Sequence, residues 1–296
     1  MDYLAVHAFL SARQRFWDDR GVPVPFELRP KRNTQDDPFD DLLATRVFTS
    51  LPGITCAKSP GPLITPDLLL YRTPDDPGAP VHRNALPSML AIEVKKLERT
   101  AQGGVARASG LDYNTTPPCG TVRVYDKRDT PVDVACSYLF ACLESAGESQ
   151  VKVTAMVLVD GNLLNADFNF YLSIVGERTK QIGLGSYGDG ANRARPMLIF
   201  SNPLGISEFD HRATLVQKSA ELSTRFTSLE MTNTLVRTTG GKPALFHCYR
   251  FVRDVPSGWK VTELVDPFPV PARVEQTQPR GRFRLPFEVQ TQKSDG

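Results

Sequence analysis

Thr65-Pro66-Asp67-Leu68-Leu69-Leu70-Tyr71 and Leu90-Ala91-Ile92-Glu93-Val94-Lys95-Lys96 decide how this chain is read. Both are short apolar runs bounded by Pro, Gly and Asp loops, the pattern of buried strands. Side chains alternate along a strand, so Glu93 and Lys95 share one face, while Ile92 and Val94 share the other and can enter a core. Asp67 heads the first strand, where Pro66 is tolerated. If the two strands are antiparallel neighbours, Asp67, Glu93 and Lys95 converge at one end of a sheet. Two carboxylates and the backbone carbonyl of Val94 make a hard oxygen site suited to Mg²⁺. An amine beside them can orient or deprotonate a water, or stabilise a pentavalent phosphorane, which is the apparatus for hydrolysing a phosphodiester. Glu93-Val94-Lys95 is the one place in the chain where an acid stands two residues before a lysine. The ordinary alternative is a solvated strand edge or a cross-strand salt bridge. A second Pro-Asp, Pro74-Asp75, lies in a Pro-rich run that reads as a turn.

Upstream, the apolar spacing of Leu4, Ala8, Phe9, Ala12 and Phe16 predicts a helix over residues 2–20, with Gly21 as its stop. Asp37-Pro38 is a helix start, Asp37 as N-cap and Pro38 at the first helical position. Phe39, Leu42, Leu43 and Val47 form its apolar face, and Pro52-Gly53 ends it. Strands are predicted at Ile54–Ala57, Leu63–Tyr71, Met89–Leu97, Thr121–Tyr125, Val134–Leu143, Val151–Val159 and Pro196–Phe200. Near the C-terminus the pattern adds Thr234–Arg237, Ala244–Val252 and Lys260–Val265, with a turn at Ser257-Gly258. Helices are predicted over Asn162–Arg178 and Glu208–Leu222. Residues 265–296, dominated by Pro, Arg and Gln, predict an extended or poorly ordered tail. The order of elements predicts an α/β or α+β architecture with a central mixed sheet flanked by helices, in a single domain of 296 residues.

Composition narrows the function. Lys and Arg total 35 against 33 Asp and Glu, so no bulk positive charge holds this chain to nucleic acid, and any such site is a local patch. No apolar run approaches the roughly 18 residues of a membrane span, and the N-terminus does not read as a secretory signal. Five scattered cysteines without a Cys-x-x-Cys predict idle or buried thiols in a reducing cytoplasm. His7, His82, His211 and His247 are widely separated and suggest no nucleophile triad.

On Pro66-Asp67 and Glu93-Val94-Lys95, and on the helix–strand–strand order around them, the chain resembles the PD-(D/E)xK nucleases, and as a whole a type II restriction endonuclease. The resemblance covers about residues 36–160, and residues 73–87 would be an insertion between the half-motifs. It implies a restriction-endonuclease-like core with extra strands and loops for DNA binding. It also implies a Mg²⁺-dependent, sequence-specific double-strand endonuclease in which Mn²⁺ substitutes for Mg²⁺. Asp67 and Glu93 would bind metal with the Val94 carbonyl, and Lys95 would position the attacking water. The family often adds an acid from the first core helix. Asp40 and Asp41 are the candidates, Asp40 preferred because it follows Phe39, and both also suit a helix N-terminus electrostatically. Further implications are a homodimer on double-stranded DNA, a prokaryotic cytoplasmic location and a cognate DNA methyltransferase encoded nearby. The alternatives are a nuclease of this superfamily in repair or junction resolution, and a non-catalytic DNA-binding protein with a degenerate core.

Two segments suit DNA contact. Tyr113, Asn114, Thr115, Thr116 and Arg123 lie in or beside a Pro- and Gly-constrained stretch, which reads equally as a rigid loop. Gln181, Ser186, Tyr187, Asn192, Arg193 and Arg195 belong to a Gly-rich basic stretch that fails the spacing of a P-loop and reads either as a DNA-contacting or a plain surface loop.

Overall fold

The computed structural model describes residues 3–33, 36–61, 64–74, 81–83, 86–99, 105–108, 120–164, 213–239, 242–255, 257–258, 261–265 and 282–290. Helix α1 (Leu4–Phe16) is followed by strand β1 (Phe26–Glu27) and helix α2 (Pro38–Leu42). Next come β2 (Ile54–Lys58), β3 (Leu68–Arg72), β4 (Val81–His82), β5 (Met89–Arg99), β6 (Val105–Ala108), β7 (Thr121–Tyr125), β8 (Pro131–Ser145) and β9 (Gln150–Asp160). Helix α3 (Gly161–Leu164), β10 (Ala213–Gln217), helix α4 (Leu222–Arg225), β11 (Leu229–Thr239), β12 (Lys242–Phe251), β13 (Thr262–Val265) and β14 (Val289–Gln290) complete the described elements.

The molecule is mixed α/β, built on a central mixed sheet with few helices against it. Its main path runs β13-β11-β12-β10-β9-β8-β5-β3-β2. β5 and β8 are parallel, as are β9 and β10, whereas β2, β3 and β5 run antiparallel in series. One face packs on α1 and α2 through Phe9, Phe16, Phe39, Leu43, Leu68, Leu70, Ile92 and Leu158. The other packs on β7 and the C-terminal segment through Val122, Val124, Phe140, Phe283, Leu285 and Phe287.

α2 begins as its sequence requires. The Asp37 carboxylate accepts from the Phe39 and Asp40 N–H groups, and Pro38 occupies the first turn, where its missing donor costs nothing. The helix then widens into a π-turn over Leu43–Val47 and tightens into a 3-10 turn over Phe48–Ser50. α1 stops at Phe16, short of the expected limit, because Trp17 turns extended and bridges to Pro23; Gly21, at φ +76°, serves that turn.

Two expectations are corrected. Residues 213–217, placed in a helix over Glu208–Leu222, form strand β10. Ala213-Thr214-Leu215-Val216 is buried between β9 and β12, and a strand covered on both faces shows no alternation to separate it from a buried helix turn. The tail is extended over residues 282–290, but it is not a solvated arm. Phe283, Leu285, Phe287 and Val289 are buried, Leu285 N–H donates to the Tyr125 carbonyl at 2.7 Å, and β14 pairs in parallel with β4. The expected strand at 196–200 and all but the first residues of the helix at 162–178 lie outside the described residues.

Candidate active site

β3 and β5 are antiparallel neighbours, with Leu68 opposite Ile92. β3 starts at Leu68, while β5 runs on to Arg99, so β5 overhangs its neighbour just where the charged residues begin. Asp67 sits at that step. Its carbonyl accepts from the Ser59 N–H at 2.8 Å, and its Oδ2 accepts from the Val94 N–H at 2.8 Å. The Asp67 carboxylate is thereby fixed against the free edge of β5. The N–H and C=O of one strand residue point to the same edge, so the Val94 carbonyl faces the side on which Asp67 lies.

Glu93 and Lys95 share the face opposite Ile92 and Val94. Lys95 Nζ donates to Glu93 Oε2 at 3.2 Å, and the side chains are only 14% and 8% exposed, which excludes a solvated edge. In parallel register, Glu93 lies beside Tyr138 of β8 and Lys95 beside Phe140, two stacked rings that displace water. Burial, then the neighbouring Asp67 charge, pushes the Glu93 carboxyl up to about 8, against the pull of Lys95. Among the described residues, Glu93 Oε1 has no hydrogen-bond partner.

Asp40 comes to this cluster from the helix-covered face. It is buried, and its carboxyl is raised first by burial and then by the Asp67 charge, with Glu93 adding and Lys58 and Lys95 opposing. Asp41, one residue on, turns away and pairs with Lys58 and Arg29, and these partners hold its carboxyl below the ordinary range although partial burial raises it. The structure thus brings Asp40, Asp67, Glu93 and Lys95 together and leaves Asp41 in a surface ion-pair network.

Two cations were missed in the sequence. Lys58, at the end of β2, pairs opposite Leu68 and places its charge where Asp40 feels it. Lys96 is 5% exposed and reaches the opposite face from Lys95, to Asp37 and to Asp40 Oδ1 at 3.5 Å. A lysine ending the apolar stretch of β5 was the available signal, since a buried lysine is rare without a carboxylate partner.

Among the described residues, no three His, Cys, Asp or Glu side chains gather as a metal-holding group. The expected donors are instead two carboxylates and a carbonyl. The unpartnered Oε1 of Glu93, facing a second carboxylate in a dry site, is a group that a hard divalent cation would satisfy. Asp67, Glu93 and the Val94 carbonyl therefore fit Mg²⁺ chemically, with Asp40 nearby as a further acid.

Of the expected DNA-contacting residues, Arg123 alone is described. It projects from β7 into solvent, between buried Val122 and Val124, and its guanidinium makes a two-pronged pair with Asp133 at 2.8 and 3.1 Å. Tyr113, Asn114, Thr115, Thr116, Gln181, Ser186, Tyr187, Asn192, Arg193 and Arg195 lie outside the described residues. Among the described residues, no helix is long and apolar enough to cross a membrane, and Cys56, Cys136, Cys142 and Cys248 are free thiols, all but Cys56 buried. Compared with known proteins, the chain matches no family model, no curated protein and no solved structure.

Proposed function

We propose that this protein is a Mg²⁺-dependent, sequence-specific double-strand DNA endonuclease of the type II restriction class, on a restriction-endonuclease-like core. The observation that carries the reading is the setting of Glu93. It is a buried carboxyl with one unpartnered oxygen, beside Asp67 and bonded to Lys95, at the step where β5 overhangs β3. Stability alone gives no reason to crowd two carboxylates in a dry site, because unpaired buried charge is costly.

A divalent cation held by Asp67, Glu93 and the Val94 carbonyl would supply Lewis acidity at a phosphoryl oxygen. The chain's own groups do the rest. The Val94 N–H locks the Asp67 carboxylate to β5, so its free oxygen has a fixed direction. Glu93 fixes the Lys95 ammonium, and the Tyr138 and Phe140 rings keep that contact dry. Lys95 is the cation available to orient an attacking water and to offset negative charge building on the phosphorus oxygens. On this reading the partners are double-stranded DNA and a second copy of the chain, and a methyltransferase encoded nearby would protect the host DNA.

The test is digestion of one long duplex. Discrete fragments in Mg²⁺ or Mn²⁺, none in excess EDTA, and binding without cutting in Ca²⁺ are expected. Asp67→Ala, Glu93→Ala and Lys95→Ala should each lower cutting by about 10²–10⁴-fold while still binding DNA in Ca²⁺. Near-normal cutting by any one of them removes that residue from the centre, and cutting in EDTA removes the mechanism. Selective cutting of junctions would move the protein to the repair class.

A further inference from the structure

We infer that Lys96 is a positioning residue that holds Asp40 at the cation site. This rests on the reading of Asp67, Glu93 and Lys95 as a metal-dependent centre.

Lys96 follows Lys95 but points to the opposite side of β5, under α2. It is 5% exposed, and burying an ammonium is costly unless carboxylates meet it. Two do. Its Nζ pairs with Asp37 and lies 3.5 Å from Asp40 Oδ1. Asp37 is also the N-cap of α2, accepting from the Asp40 N–H itself. One small unit therefore fixes Asp40 twice, by its backbone through the cap and by its side chain through Lys96. The unit is anchored on β5, two residues from Val94. Asp40 is the one acid of the cluster that does not come from β3, β5 or the loop between β2 and β3, so its position depends on how α2 is tied to β5. An ion pair across that junction sets the distance in a way that apolar contacts, which tolerate sliding, do not. Carboxylates around a metal are themselves held by such outer partners, whose loss typically weakens metal binding about 10–100-fold.

The experiment compares wild type, Lys96→Met, Lys96→Arg, Asp37→Asn and Asp40→Asn as full chains. Two quantities are read. One is the Mg²⁺ concentration giving half-maximal cleavage. The other, free of catalysis, is the Mn²⁺ concentration giving the half-maximal rise in melting temperature without DNA. Lys96→Met should raise both by about 10-fold, leave the KM for DNA unchanged, and be largely rescued in Lys96→Arg. Asp37→Asn, which keeps a capping side chain and loses only the charge, should show the same shift and serves if Lys96→Met does not fold. The Asp40→Asn, Lys96→Met double variant should be no worse than Asp40→Asn, because both act through one group. Metal dependence unchanged from wild type in Lys96→Met and Asp37→Asn, or additive losses in the double variant, overturns the role of Lys96 and leaves the nuclease reading standing. A wild type that neither cuts DNA nor gains stability from Mn²⁺ overturns both.

Discussion

At the scale of the residue, Glu93 is the most informative group. Its carboxyl titrates near 8 in the folded chain against about 4.5 when unfolded, because burial and Asp67 both oppose its charge. Between those values the folded state holds a proton that the unfolded chain has released. The stability Glu93 contributes is thus fully present below about 4.5 and is lost as pH rises through about 8. Asp40, raised by burial, acts in the same direction. In EDTA, unfolding by urea should therefore show a fall of on the order of 2 kcal/mol between pH 5 and pH 9. Glu93→Gln should flatten that fall, and Mg²⁺ should restore the wild type at high pH but not the variant. A wild-type profile level across this range would mean that Glu93 is already ionised, and that the site is wetter than its burial implies. The motif itself was legible from alternation along one strand, because period 2 puts Glu93 with Lys95 and sends Ile92 and Val94 into the core. The division of labour between Asp40 and Asp41 was only half legible. Sequence preferred Asp40, but Lys58 and Arg29, which draw Asp41 outward, come from elements remote in the chain.

At the scale of the element, the C-terminal strap shows where composition misleads. Pro, Arg and Gln suggested a loose tail, yet Phe283-Arg284-Leu285-Pro286-Phe287-Glu288-Val289 alternates apolar and polar residues as a half-buried strand does. Its apolar members enter the core, while Arg282 and Arg284 stay out and pair with Asp129. Asp126 ties the strap down by accepting the Val289 N–H at 2.8 Å. Leu285→Ala should accordingly cost about 2–5 kcal/mol in urea unfolding, as buried truncations do, whereas Arg284→Ala should stay within about 1 kcal/mol, as exposed ion pairs do. Equal small losses from both would place the strap outside the cooperative core. β10 failed to show itself for the opposite reason. Covered on both faces by its place between β9 and β12, it carries no alternation, and only tertiary pairing makes Ala213–Gln217 a strand. The strands with one distinct face or a flanking turn, such as β5 and β7, were legible nearly to their ends.

At the scale of the whole molecule, the sheet separates two jobs. Helices α1 and α2 cover one face, β7 and the strap cover the other, and the step between β3 and β5 gathers Asp67, Glu93 and Lys95. One chain carries one such set, and a duplex presents two scissile phosphates on strands of opposite polarity. A single centre would have to release and turn about between cuts, whereas two chains related by a twofold axis match the symmetry of the duplex. The proposed homodimer therefore makes a sharp expectation for mixtures. Wild type combined with an equal amount of Lys95→Ala, allowed to exchange, should yield about half of all dimers with one working centre. On a supercoiled plasmid with one site, those mixed dimers cut one strand, so open circles should accumulate well beyond the amount either protein makes alone. The separation of supercoiled, open-circular and linear forms on a gel over time is the measurement. If linear product merely falls in proportion to the wild type present, with no added open circles, each chain acts by itself. Two cuts would then come from one centre visiting the strands in turn.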